Sequence, residues 1–438
     1  MSDTNKELLE FIQASPSVFH CVQTLSDRLE AEGFVKIGER KHWDIEKGGR
    51  YYLRRNGSSL IAFKVGKDIE ESRFQFSAAH CDSPTFQIKE HAELSGPDDY
   101  LRLDVEAYGG MIDSTWFDKP LGIAGRVFVY DHEQGKVFSH LLELKNILII
   151  PNVPIHFNRD VNKGYAYNRA VDLCPLFSAG ELKKGDFDKM IADELGVPEE
   201  DIVGRDLFLV NNQEPMVWGR KNEFVSSPKL DDLQCVFSSF KGFLEGNNEK
   251  NINVFVCFDN EEVGSNTMQG AMSTFLVDTA KRISMALGGT EEQFYMGVAK
   301  SFMISADNAH ALHPNHTEYY DAANRVYMNK GIVAKENATQ KYVSDGYSKA
   351  VLKEICKKAD VPMQYFSNRS DIAGGGTLGN LSNTQISLHG VDIGLPQLAM
   401  HSSYETAGAL DTEYAVQMFK TYFSTEVVIH DPLGVVLR

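Results

Sequence analysis

The run INVFVCF at 252–258 leads without a break into Asp259, Asn260, Glu261 and Glu262. A largely apolar run of that length is the texture of a strand buried on both faces, as in a parallel sheet, and the residues just after it fall where such strands open onto a ligand crevice. Two adjacent glutamates at the end of a buried strand repel each other and lose hydration, so the pair is easiest to explain if a cation neutralises one of them. On that ground Glu262 is assigned to a metal and Glu261 to proton transfer, with a solvated loop pair as the bland alternative. The feature fixes the kind of fold to look for: an α/β layer whose parallel strands deliver polar residues to one edge.

A second strand does the same. In RFQFSAAHCDSP, Phe74, Phe76, Ala78 and His80 alternate with polar or small residues and stop at Pro84, which predicts a strand carrying His80 to its C-terminal edge. Cys81 then faces the opposite side of that strand. Asp82 can accept a hydrogen bond from the second ring nitrogen of His80 and fix its tautomer, or can simply cap the turn before Pro84. Three further short motifs hold Asp231 (SPKLDD), Asp307 (SADNAH) and His401 (AMHSSYE). Any one of these carboxylates alone reads as a solvated surface charge. Together the six positions match the needs of two metals about 3.5–4 Å apart: one bridging carboxylate, a His and a carboxylate each, and a free carboxylate to deprotonate water. Mixed imidazole and carboxylate donors suit zinc, with cobalt or manganese able to substitute.

These residues, in this order, resemble the aspartyl aminopeptidase and aminopeptidase I family of cocatalytic zinc exopeptidases. The resemblance spans nearly the whole chain, through FIQASPSVFH, AAHCDSP, GGMIDSTWFDKPLGIAGRV, IPNVPIHFNRDVN, DIVGRDLFLV, SSPKLDDL, CFDNEEVGS, SADNAHALHPNH, SNRSDIAGGGTLG and VDIGLPQLAMHSSYETAG. It implies that Asp231 bridges two zinc ions, that His80 and Asp307 complete one site and Glu262 and His401 the other, and that Glu261 is the catalytic carboxylate. It implies hydrolysis of the first bond of a peptide, a doubly wound catalytic domain carrying an inserted dimerisation domain, and assembly of subunits into a tetrahedral dodecamer. It also implies that His156, in IPNVPIHF, reaches the active site of a neighbouring subunit and donates to the tetrahedral intermediate; on the bare sequence His156 is a histidine at a strand end. Acid-preferring members of the family carry an Arg soon after the last ligand, in a pattern like HS-x-R-E. This chain has Tyr404 there, so neutral or apolar N-terminal residues are expected to be cleaved at least as well as Asp or Glu.

Length and texture divide the chain. At 438 residues it exceeds one ordinary core. Helices are expected at 6–13, from Ser17 to about residue 32, at 272–287 and at 348–359, with strands at 49–65 and 73–88. Between them lies a β-rich stretch with one helix-like segment, ELKKGDFDKMIADEL at 181–195, ending near Gly196. The expected division is a catalytic domain at 1–90 and 223–438, with an inserted β-rich dimerisation domain at 91–222. Net charge, 44 basic minus 61 acidic residues or −17, argues against nucleic acid or an anionic membrane as partner and leaves peptides or small molecules as substrates. No apolar stretch of spanning length and no basic-then-apolar leader is present, which points to the cytoplasm. The six cysteines show no C-x-x-C pair and are expected to be reduced, buried thiols.

Other features are weighed against plain alternatives. His310, His313 and His316 recur at intervals of three, but Pro314 interrupts any helix, so His310 and His313 are candidates to line a substrate pocket rather than to bind a further metal. GGGTLG at 374–379 lacks the surroundings of a phosphate loop; a loop admitting substrate near Arg369 and Asp371, or a structural turn, is expected instead. GGMIDSTWFDKP, with Trp116 and Asp118, fits either a hairpin or an intersubunit contact, and the resemblance favours contact. A non-catalytic scaffold would lack Glu261 or a ligand, and none is missing. A carboxypeptidase or deacylase would need a cation for the substrate carboxylate, for which Arg369 is the nominee.

Overall fold

A computed structural model of the chain describes residues 2–430 and 434–438. Helices α1 (Asp3–Gln13) and α2 (Val18–Ala31) are followed by β1 (Val35–Lys36), β2 (Arg50–Arg55), β3 (Ser59–Val65) and β4 (Phe74–His80). Next come β5 (Thr85–Ser95), β6 (Tyr100–Tyr108), β7 (Pro120–Asp131), β8 (Lys136–Ile149), α3 (Arg169–Asp172), β9 (Leu176–Ala179), α4 (Asp186–Leu195) and β10 (Ile202–Asn211). The chain continues through β11 (Met216–Trp218), β12 (Phe224–Ser227), α5 (Leu230–Glu245), β13 (Ile252–Phe258), α6 (Phe275–Ala286), α7 (Glu291–Ala299) and β14 (Phe302–Ala306). It ends with β15 (Ala309–His310), β16 (Ile332–Glu336), α8 (Gly346–Lys358), β17 (Met363–Ser367), α9 (Leu378–Ser382), β18 (His389–Gly394), β19 (Pro396–Leu398), β20 (Glu405–Gly408), α10 (Asp411–Ser424) and the hairpin β21 (Val427–His430) and β22 (Gly434–Leu437).

Local chemistry sets the helix ends. The Ser2 hydroxyl accepts the Asn5 amide at 3.3 Å and so caps α1, whose Leu8, Leu9, Phe11 and Ile12 are buried. Ser17 precedes α2 as expected, but its hydroxyl faces His20 Nδ1 at 2.8 Å and does not cap the helix. The segment expected to be helical before Gly196 begins only at Asp186, because Gly185 adopts φ +101° and breaks the residues before it; Gly196, at φ +66°, ends it.

The main sheet has nine strands in the order β1-β2-β3-β13-β4-β14-β18-β16-β17. Its centre is parallel: β13 with β4, β4 with β14, β14 with β18. It is not parallel throughout, since β3 lies antiparallel to β13 and β16 antiparallel to β18. Both faces are covered. Alternate residues of β13 go to two cores, Phe255 and Cys257 under α1, α2, α5, α8 and α10, and Val254, Val256 and Phe258 under α6 and α7. Fully burying a Phe such as Phe237, Phe240 or Phe243 of α5 contributes about 1.5–3 kcal/mol. Odd and even residues of β4 divide the same way, so Cys81 sits in the first core, on the face away from His80.

Strands β5 to β10 close into a six-stranded barrel in the order β10-β5-β6-β9-β8-β7. Its first strand starts at Thr85 and its last ends at Asn211, both short of residues 91 and 222. Trp116 corrects one expectation: it is 3% exposed and packs edge-on against Phe86 at 5.3 Å inside the barrel, so it fills this chain's own core rather than an intersubunit contact. A second, five-stranded sheet, β11-β12-β20-β19-β15, packs beside the C-terminal edge of the main one and carries the segments around His310 and His401. No described helix is long and apolar enough to cross a membrane.

Candidate active site

Because the central strands are parallel, their C-terminal ends gather at one edge, where α/β sheets open their crevices. His80 ends β4 and pairs in register with Phe258, the last residue of β13, so the Glu261-Glu262 turn emerges beside it. Asp307 follows β14, and Asp231 lies in the first turn of α5, after Lys229. His401 sits in the loop between β19 and β20. Several turn residues here that are not glycine adopt left-handed backbone, among them Lys229 at φ +57°, Asn260 at +64° and His401 itself at +66°. Such strain persists only where surrounding contacts over-determine it, and it gathers at functional sites.

The side chains form two groups that share Asp231. His80, Asp231 and Asp307 bring ligand atoms within 4.8 Å of one another, and so do Asp231, Glu262 and His401. Asp231 Oδ1 lies 3.5 Å from His80 Nε2, and its Oδ2 lies 3.6 Å from His401 Nε2. His401 Nε2 is also 3.3 Å from Glu262 Oε2. Asp231 Oδ1 and Glu262 Oε1 are buried with no hydrogen-bond partner, an arrangement that costs several kcal/mol unless a cation meets the oxygen. Burial first, then repulsion from Asp231, holds the Glu262 carboxyl well above the usual carboxylate range. Unpartnered carboxylate oxygens facing two imidazoles fit the donor set of bound zinc. Glu261, in the same turn, groups with His80 and Glu262; burial pushes its carboxyl up to about 8.

The other ring nitrogens are fixed by carbonyls. His401 Nδ1 faces the Gly110 oxygen at 2.6 Å, and His80 Nδ1 faces the backbone oxygen of Asp82 at 3.1 Å, so in each ring Nε2 is left for the cluster. The Asp82 carboxylate, expected to be the partner of His80, lies 3.3 Å from Nδ1 but mainly does something else. It accepts the Glu261 and Glu262 amides, each at 3.1 Å, and the Tyr108 hydroxyl at 2.8 Å.

That role recurs twice in residues the sequence analysis passed over. Asp232 accepts the His80 amide at 3.3 Å and the Asn308 amide at 3.2 Å. Glu405 accepts the Asp231 amide at 2.9 Å and the His401 amide at 2.7 Å. Each carboxylate therefore ties the backbone of two ligand-bearing segments together, at 0% and 2% exposure. Asp232 also falls in the His80 group, but both its oxygens are taken by amides, whereas Asp231 Oδ1 accepts no hydrogen bond. The barrel joins in: the Ile112 amide donates to the His401 oxygen at 3.0 Å, and Gly109 comes so close that a Cβ would stand 3.2 Å from Glu262 Cβ.

The remaining candidates separate. His310 and His313 line a cavity of about 220 Å³ beside His401, with Tyr320, Leu398 and Met400. Tyr404 donates its hydroxyl to the Glu214 oxygen at 2.6 Å and does not line that cavity. Arg369 is exposed, pairs with Asp371 at 2.8 Å and donates to the Glu318 oxygen, away from the cavity. His156 is exposed in the loop after β8, with Val153, Ile155 and Phe157 exposed around it at 49%, 48% and 85%. Lys335, which the sequence analysis did not single out, is buried 3.4 Å from Asp307 Oδ2; its only sequence signal is a Lys inside the apolar strand β16.

Residues 11–423 match the model of a family described as aminopeptidase I zinc metalloprotease (M18). The chain is 45% identical over 423 residues to a probable M18 family aminopeptidase 2 of Clostridium novyi (strain NT), covering 95% of this chain and 98% of the relative. It is 43% identical to the protein of the same description from Clostridium acetobutylicum, over 96% of this chain and 98% of that one. Among solved structures it superposes with TM-score 0.92 and 34% identity on a chain of the Ape4 and Nbr1 complex, covering 96% of this chain and 85% of that one. Against the mApe1 dodecamer of S. cerevisiae the TM-score is 0.84 at 25% identity, with 96% of each chain covered.

Proposed function

Since this chain belongs to the M18 family of aminopeptidase I zinc metalloproteases and is a zinc-dependent aminopeptidase, we propose that it cleaves the first peptide bond of its substrates with two zinc ions per subunit. The observation that carries the proposal is Asp231, whose two oxygens face two different histidines at 3.5 and 3.6 Å. On this reading His80, Asp231 and Asp307 hold one ion, and Asp231, Glu262 and His401 hold the other. Bound zinc supplies a Lewis acid for the scissile carbonyl and a water of lowered pKa. Glu261 takes the proton of the attacking water, holds it, and returns it to the leaving amine nitrogen. The free α-amino group of the peptide meets the cluster's carboxylates, and an internal peptide nitrogen has no charge to offer them.

Neutral or apolar first residues are proposed to be accepted at least as well as acidic ones. The cavity beside His401 supports this, because Ala311, Leu398, Ala399 and Met400 line it and no Lys or Arg does. One observation favours the opposite preference: Lys335 is a buried cation beside the cluster, although Asp307 already opposes its charge. A panel of peptides differing in the first residue, assayed on protein of measured metal content, decides both points. Two zinc per chain and comparable kcat/KM for Leu, Ala, Asp and Glu are expected. One zinc at full activity, or a tenfold advantage for acidic residues, would reverse the corresponding claim.

We propose further that the protein works in the cytoplasm as a homo-oligomer, a dodecamer like S. cerevisiae mApe1, with the barrel as its dimerisation unit. The apolar side chains left exposed around His156, and Val137, Phe138 and Leu141 on β8, support an interface there. In such an assembly His156 serves the active site of a neighbouring subunit, and one donor to an oxyanion is worth about 10²–10³ in kcat. The His156→Phe variant is expected to lose about that factor while keeping its zinc and its assembly. Mixing it with Glu261→Gln subunits should restore part of the activity; mixed assemblies, confirmed by mass measurement and still inactive, would show that His156 does not act across an interface.

A further inference from the structure

On the face of β4 opposite His80, three cysteines from separate elements converge. Cys21 comes from α2, Cys81 from the residue after β4 and Cys257 from β13, and their sulfurs all lie within 4.8 Å of one another. Cys21 and Cys257 are fully buried and Cys81 is 3% exposed. A single buried thiol is an ordinary small hydrophobe, but three sulfurs meeting at one point are a ligand set of matched softness. Of the three, Cys81 lines a cavity of about 250 Å³, with Pro16, Ser17, Pro84 and Lys229.

Number and softness choose the ion. Structural zinc takes four ligands in a tetrahedron, whereas among the described residues this group holds three cysteines and no fourth His, Cys, Asp or Glu. The Cys81 thiol donates to the carbonyl oxygens of Ser58 and Phe258, both at 3.4 Å, and a neutral carbonyl is a hard ligand. Soft thiolates without a hard fourth ligand select Cu(I), which accepts three sulfurs in a plane. We propose that Cys21, Cys81 and Cys257 form a three-sulfur site for a soft monovalent cation, Cu(I) being the probe, separate from the zinc cluster and back to back with it across β4. Each sulfur that binds gives up its proton to the buffer, and no electron is transferred.

The site makes the zinc cluster and the cysteines neighbours joined by one peptide bond, between His80 and Cys81. An ion drawing the three sulfurs together tethers α2 to the ends of β4 and β13, and so stiffens the strand end that carries His80.

The test uses the full-length, zinc-loaded protein, titrated anaerobically with Cu(I) in competition with a colorimetric Cu(I) chelator. One Cu(I) per chain is expected to resist the chelator, with zinc content unchanged, and X-ray absorption at the copper edge should show three sulfur neighbours. That measurement on the unaltered protein stands even where a variant folds poorly. Cys21→Ser and Cys257→Ser should each lose the copper, while Cys174→Ser, Cys356→Ser and His80→Ala keep it. A copper shell containing nitrogen or oxygen, copper held equally by Cys21→Ser and Cys257→Ser, or copper lost in His80→Ala would overturn the proposal.

Discussion

Replacing Glu261 by Gln is expected to lower kcat by about 10²–10⁴, the range that positioned proton transfer contributes, while both zinc ions stay bound. The substitution keeps shape and removes only the ability to take a proton. Metal retention is expected because the five ligands are untouched and the Glu261 backbone amide, which donates to Asp82 at 3.1 Å, is unchanged by the new side chain. KM should change little, since the carboxamide fills the same volume as the carboxylate it replaces. The check is kcat on protein with zinc counted by mass spectrometry. Turnover within a few-fold of the parent would remove Glu261 from the chemistry, and loss of zinc with loss of turnover would make it a ligand.

Asp231→Ala is expected to empty both zinc sites, to abolish hydrolysis and to lower the thermal midpoint, whereas His401→Ala should empty mainly one. The difference follows from geometry: Asp231 has an oxygen toward each histidine, while among the described carboxylates His401 Nε2 approaches Asp231 and Glu262. Loss of bound metal also removes its stabilisation of the folded state by mass action. Repulsion among the remaining buried carboxylates then acts against that state with only Lys335, beside Asp307, to oppose it among the described residues. Zinc counts of zero and about one per chain, respectively, are the expected outcomes. Two full equivalents in Asp231→Ala would sink the bridging role.

The placement of His80 and of Glu261 and Glu262 at one edge was readable because each follows a buried strand, and parallel strands bring such ends together whatever the distance in sequence; Asp231, Asp307 and His401 were grouped with them only through the family resemblance. The division of Cys81 and His80 between two faces followed from strand alternation alone. What stayed hidden was the scaffold. Apart from the nearby His401 amide, the amides that Asp232 and Glu405 hold belong to segments about 75 to 175 residues away, through bonds to backbone that leave no trace in the partner's side chain. An acidic residue next to a ligand, as in KLDD and HSSYE, was their only sign. The start of α4 was misread because the apolar and charged pattern continues through Gly185, where only a backbone torsion ends it. Trp116 was misread because a large aromatic in a Gly-rich segment looks the same from outside whether it fills a barrel or meets a partner.

The barrel's reach into the cluster has a consequence for how such a chain can change over time. Gly110 holds the His401 ring, Tyr108 holds Asp82, and Gly109 leaves room for Glu262. An insertion that supplies these groups is no detachable cassette. It can vary on its outer strands, away from the cluster, but the segment from Tyr108 to Ile112 must keep its path. Grafting the barrel of a distant relative onto this sheet, with every ligand retained, would still leave His401 unaimed unless that short segment travelled with the host rather than the guest.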